Sequence, residues 1–224
     1  MKNIKVTILN QPSKDQLHII TDAAALTQIK GYKPGTKPFN INLVKRLVKM
    51  GHTSLLEFAQ LTIFIENASR VFLSQITRHR LSSYTSQSQQ YQKHNGFDFV
   101  IPDDLKNSKL LADYLIFMEQ AENLYEKLEE EVGRDSARYV LPGATCNNLL
   151  MSANLREWMT VIIPQRLCLR NTVETQYIMR ELLTQLKDTA LRDLFLLSGP
   201  ACCHGTCDQG SMSCGKPFKM EDIF

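Results

Sequence analysis

The sequence predicts a single α+β domain. Segments with apolar residues at helical spacing dominate the chain, and only a few short segments are β-branched or strictly alternating. These two kinds of segment follow one another irregularly, so a regular βαβ series is not expected. At 224 residues the chain fits one domain, or two small ones at most, and it contains no internal repeat, no low-complexity linker and no convincing domain boundary. The single-domain reading therefore runs over residues 1–224, with a Cys-rich tail at 199–224.

"IKVTIL" (4–9) is apolar and β-branched and predicts a first strand. "ITDAAALTQIKG" (20–31) predicts a short helix closed by Gly31. In "NINLVKRLVKMGH" (40–52), Ile41, Leu43, Val44, Leu47 and Val48 recur at helical spacing, with Asn40 as cap and Gly51 as stop. "EFAQLTIFIENA" (57–68) alternates: Ala59, Leu61, Ile63 and Ile65 form one face, which predicts a strand with one buried side. A helix over about 69–80 would carry Arg78, His79 and Arg80 at its C-terminal end, where the dipole favours cations. Residues 81–95 read as loop, and "FDFVIP" (97–102) as another short strand.

The clearest helix is 108–132, with Leu111, Tyr114, Leu115, Met118, Ala121, Tyr125 and Leu128 on one face and a solvated acidic end. "SARYVLP" (136–142) predicts a helical turn ended by Pro142. "NNLLMSA" (147–153) reads as a strand, while 155–165 and 173–195 read as helices.

Charge and apolar runs narrow the functional classes. A net charge of +3 is too small for a dedicated nucleic-acid binder, but it leaves a local anion site open. "MKNIKVTILNQPSKDQ" lacks the apolar run of a signal peptide, and no apolar run approaches the length of a membrane span. A cytoplasmic protein is expected, with its six cysteines reduced or some of them holding a metal. No Gly-rich phosphate loop and no G-x-S-x-G elbow is present.

Arg78-His79-Arg80 is the strongest local signal. It reads either as a basic helix end satisfying its own carbonyls or as an anion site, since guanidinium forks hold phosphate oxygens in pairs. Gln75 and Arg78, at i and i+3, would share a face of the expected helix. His52 stands at a helix end and Glu57 at a strand start. In "ACCHGTCDQGSMSCG" (201–215), Cys203, Cys207 and Cys214, with Cys202 and His204, offer zinc ligands, but the spacing is not a paired C-x-x-C, so the favoured reading is a Gly-rich tail with reduced thiols and no metal.

Arg78-His79-Arg80, then seven residues, then Ser88, resembles the signature of flavin-dependent thymidylate synthases. "GHTSLLEF" (51–58), "ARYVLP", "SANLREWM" (152–159), "LCLRNTVETQ" (167–176) and the tail "GPACCHGTCDQGSMSCGK" (199–216) resemble that family's other segments in the same order. The resemblance implies an α+β fold with a small central antiparallel sheet flanked by helices, assembled as a homotetramer with shared active sites. It implies FAD as cofactor, NADPH as reductant and methylenetetrahydrofolate as one-carbon donor for C5 methylation of dUMP to dTMP. His52, Ser54, Glu57, Arg78, His79, Arg80, Asn154 and Arg156 match flavin-contacting positions. Gln75, Arg78, Ser88, Gln89, Gln90, Arg138 and Arg170 match the nucleotide site, with Arg170 and Ser88 as the catalytic candidates. The implied partners are small molecules, with no nucleic-acid polymer and no membrane.

The chain departs from the family pattern at several places. Gln90 and Thr85 stand where Arg and Asn are usual, Leu26 ends the usual Ala-Ala-Arg, and Phe58 replaces a common His. Thr175-Gln176-Tyr177-Ile178-Met179 replaces Ala-Gln-Trp-Glu-Ile. Two alternatives follow: a related enzyme that acts on C5 of dCMP or UMP or installs a hydroxymethyl group, and a flavin- or nucleotide-binding protein without turnover.

Overall fold

The computed structural model describes residues 3–35, 38–91 and 96–224. Helices are mixed with a four-stranded antiparallel sheet in the order β1-β2-β4-β3, which is the expected α+β class. The strands are β1 (Lys5–Asn10), β2 (Gln60–Ser69), β3 (Ser83–Ser86) and β4 (Cys146–Asn154). Register between β2 and β4 is marked by Thr62 beside Ser152 at 2.8 Å and by the Asn67 N–H donating to Asn148 Oδ1 at 3.0 Å. Ala59, Leu61, Ile63 and Ile65 are all buried, so the alternation identified the inward face.

By contact density the chain divides into two compact units, and β2 and β4 each pass from one to the other. The first unit comprises residues 1–5, 65–78 and 84–150. It holds α3 (Arg70–Ile76), α4 (Leu111–Val132) and the short α5 (Arg134–Ala137). Its small core is Phe97, Met118 and Ala121, with Phe99 and Tyr114 packed edge-on at 6.0 Å between ring centroids. The second unit comprises residues 6–64, 79–83 and 151–224. It contains α1 (His18–Leu26), α2 (Ile41–Lys49), the short α6 (Leu155–Glu157) and α7 (Ile163–Arg166), α8 (Val173–Leu186) and α9 (Arg192–Phe195). Its core includes the fully buried Trp158, whose indole N–H donates to the Leu61 carbonyl at 3.0 Å.

Asn40 caps α2 as expected, its side chain accepting from the Leu43 N–H, and Gly51 takes the left-handed φ of +87° that stops the chain. Other boundaries differ from expectation. The first helix ends at Leu26 rather than near Gly31. The 69–80 helix ends at Ile76, with the Thr77 N–H and hydroxyl both donating to the Leu73 carbonyl at its last turn. The Arg78–Arg80 triplet therefore lies beyond the helix, and Gln75 and Arg78 do not share a helical face.

The segment read as loop from 81 contains β3, which tertiary pairing supplies: the Gln87 N–H donates to the Asn148 carbonyl at 3.0 Å. Residues 92–95 of that expected loop lie outside the described residues. "FDFVIP" forms only an isolated bridge between Phe99 and Thr145. Glu57, expected at a strand start, sits in a 3-10 turn (Ser54–Phe58). The 173–195 segment breaks after Leu186, where the Thr189 hydroxyl donates to the Leu186 carbonyl and accepts from the Leu191 N–H. Between α6 and α7 the chain winds as a π-helix (Trp158–Ile162) just before Pro164, which has no N–H for the ordinary ladder.

Candidate functional site

The second unit carries an open cavity of about 1480 Å³. His52, Ser54 and Glu57 all line it, presented by the end of α2 and the 3-10 turn that follows. Leu26, Met50 and Phe58, exposed on the surface, give it apolar patches beside these polar groups. Arg46, in the last turn of α2, lines the same cavity and was not singled out from the sequence. An apolar bed with a few polar groups suits a large aromatic cofactor, and the volume accommodates a dinucleotide.

Arg156 reaches Glu57 directly, its guanidinium Nη1 donating to Oε1. Two residues 99 positions apart, both matched to flavin contacts from the sequence, thus meet in the structure. Asn154 serves the fold itself, because its side-chain oxygen accepts from the Glu157 N–H at 2.8 Å and caps α6.

The basic triplet divides. Arg78 and Arg80 are exposed, whereas His79 is buried. Arg166 of α7 donates through Nε to His79 Nε2 at 2.8 Å, which fixes that nitrogen as an acceptor. His79 Nδ1 faces Glu157 Oε1 at 3.7 Å, too far for a hydrogen bond. Burial, with the Arg166 charge beside it, lowers the His79 pKa from 6.5 to about 4, so the ring is neutral at physiological pH. Burial also pushes the Glu157 carboxyl upward. Glu157 and Arg166 are the parts of this cluster that sequence reasoning missed. Neither lies in a charge pattern, and only the packing of α6 and α7 brings them to His79.

In the first unit, Gln75 is half-buried on α3. The Ser88 hydroxyl oxygen accepts from the N–H groups of Gln90 at 3.2 Å and Tyr91 at 3.3 Å, so Ser88 closes its own turn. Gln89 is half-buried and Gln90 exposed. Arg138 stands in a 3-10 turn and pairs with Asp135, Nη2 to Oδ1 at 2.7 Å, while its Nε donates to the Asp135 carbonyl at 3.1 Å. Arg70 is a further cation that the sequence did not mark. Burial and the charge of Arg138 both lower its pKa, so two like charges share this part of the unit.

Arg170 is exposed and lines a second cavity of the second unit, of about 480 Å³, with residues of the Cys-rich tail. None of the six cysteines is in a disulfide, and among the described residues no group of three or more His, Cys, Asp or Glu side chains is placed to hold a metal ion. No helix among the described residues is long and apolar enough to cross a membrane.

Comparison with known proteins adds an independent line. Residues 9–190 match the family described as thymidylate synthase complementing protein. The chain is 28% identical to the flavin-dependent thymidylate synthase of Clostridium tetani over 99% of this chain and 97% of the relative. It is 33% identical to the protein of that name from Thermococcus onnurineus, over 93% and 91% of the two chains. The Geobacter sulfurreducens protein of the same name is 32% identical, over 80% of this chain and 78% of its own length.

Proposed function

The chain belongs to the thymidylate synthase complementing protein family, and we propose that it is a flavin-dependent thymidylate synthase that methylates C5 of dUMP to give dTMP. The supporting observation is the cavity where His52, Ser54 and Glu57 meet, with Arg156 paired to Glu57, in a chain whose relatives carry that name. The reading takes residues 1–224 as one catalytic domain, working in the cytoplasm on small molecules rather than on a nucleic-acid polymer.

FAD would lie along the apolar surface of the cavity, against His52, Ser54 and Glu57, with Asn154, Arg156 and the triplet at its border. When bound and reduced by NADPH, FAD supplies the reducing equivalents that turn a one-carbon unit from methylenetetrahydrofolate into a methyl group. The Glu57–Arg156 pair holds both side chains in fixed directions, so their remaining donors and acceptors are oriented before a ligand arrives. The neutral His79 holds Arg166 through its hydrogen bond without adding a charge of its own.

Gln75, Ser88, Gln89, Gln90 and Arg138 would bind the nucleotide, with Arg78 reaching it from the triplet. Ser88 shapes its turn by accepting two backbone N–H groups, and its hydroxyl proton is left to point at a phosphate or base. Arg170 stabilises negative charge developing on the pyrimidine ring as C5 reacts. A homotetramer with shared sites is part of the proposal. It is supported by Leu115, Ile116, Phe117 and Leu124, large apolar side chains exposed along α4.

The test is an FAD spectrum of the purified protein together with rescue of a thymidine-requiring cell. Arg170→Ala should keep FAD bound and lose turnover; retained activity removes Arg170 from its role. Gln90, a neutral amide in the expected phosphate site, favours one second reading, an enzyme for another pyrimidine nucleotide. Tritium release from 5-labelled dCMP or UMP, and none from dUMP, would establish that reading. A protein that cannot be loaded with FAD would sink both enzymes.

A further inference from the structure

The Cys-rich tail is anchored into the second unit. Phe218 is buried, with the Arg180 guanidinium of α8 4.8 Å above its ring centroid, and its N–H donates to Cys202 Sγ at 3.5 Å. Met220 is also buried, and it comes so close to Gly199 that a Cβ there would stand 2.7 Å from its sulfur. Gly199 adds a φ of +108°, which only glycine adopts readily. The His204 ring meets the Ser198 carbonyl at 2.8 Å, and the Ser198 hydroxyl donates to the Met159 carbonyl at 2.6 Å.

Held in this way, the tail and residues 164–171 line the cavity of about 480 Å³ in which Arg170 stands. That size fits a small organic ligand. The tail contributes a second cation, Lys216, while Asp208 is the one acid among the described residues of the lining. Among the described residues no ion pair engages Arg170 or Lys216. The lining thus carries two cations against one carboxylate, beside apolar residues, which favours an anionic molecule over a cation.

We propose that the tail is the outer wall of the cavity from which Arg170 meets the pyrimidine nucleoside monophosphate, and that Lys216 is a further binding residue for that nucleotide. The inference rests on the nucleotide reading given above and extends it to a segment that the reaction had not used. Cys168, Cys207 and Cys214 line the same cavity and act as built-in reporters of its occupancy.

The experiment uses the full-length, FAD-loaded protein. Lys216→Gln should weaken dUMP binding about tenfold, the loss of one charge-assisted bond, whereas Lys216→Arg should stay within about twofold. FAD absorbance should be the same in both variants. Bound dUMP should slow iodoacetamide labelling of Cys168, Cys207 and Cys214, read by mass spectrometry, but not of Cys146 in the first unit. Unchanged dUMP affinity in Lys216→Gln, or labelling indifferent to dUMP, overturns the proposal. If the wild-type protein binds dCMP or UMP in place of dUMP with the same dependence on Lys216, the tail wall stands and the substrate assignment falls. If it binds FAD but none of the three nucleotides, both fall.

Discussion

At the scale of single residues, His79 shows how position changes chemistry. In the sequence it is one of three basic residues; in the fold it is a neutral acceptor for Arg166. Its pKa in the folded chain, about 4, lies below the unfolded value of 6.5, so the unfolded state binds more protons between those values. Its contribution to stability is complete above pH 6.5 and is lost as pH falls towards 4. Glu157 works in the opposite sense, because its raised pKa favours the folded state as acid is added. The thermal midpoint should therefore fall from pH 6.5 to 4, less steeply in His79→Gln and more steeply in Glu157→Gln; calorimetry across that window is the check. Gln90 is the other informative residue. Gln90→Arg should tighten dUMP binding by about 1–3 kcal/mol, the range for hydrogen bonds to a charged group. Unchanged affinity in a titration would place the phosphate elsewhere.

At the scale of elements, α2, β2, β4 and α4 were legible because each has enough residues to show its period, and α2 adds a cap and a stop. β3 was not, since four residues show no period and their pairing with β4 comes from distant sequence. The helix carrying Gln75 ended at Ile76, short of its expected limit, a boundary that hydrophobic spacing does not mark. On α4 the apolar face is wider than one core needs: Met118, Ala121 and Tyr125 are buried while Ile116, Phe117 and Leu124 are exposed. If copies of the chain cover this surface, Phe117→Glu should lower the oligomeric mass measured by light scattering while the far-ultraviolet spectrum is unchanged. The same mass in both proteins would exclude α4 from the interface.

At the scale of the whole molecule, the flavin reading has a thermodynamic consequence. A ligand that binds only the folded chain stabilises it by about 2.7 kcal/mol at a free concentration 100 times its Kd. Added FAD should raise the thermal midpoint, and Glu57→Gln should need more FAD for the same rise, because it weakens the pair with Arg156 on the cavity wall. A midpoint indifferent to FAD would remove the cofactor from the proposal.

The sequence alone was enough for the α+β class, the buried face of β2, the cap of α2 and the resemblance that pointed to His52, Ser54, Glu57 and Arg156. These depend on local periodicity, side-chain capping chemistry and motif spacing, all of which are written in order along the chain. The pairing of Glu57 with Arg156, the neutral state of His79 between Arg166 and Glu157, and the cavity joining the Cys-rich tail to Arg170 came only with the fold. Each depends on residues far apart in sequence being brought together. Burial and electrostatic coupling arise from that packing and leave no periodic trace in the chain.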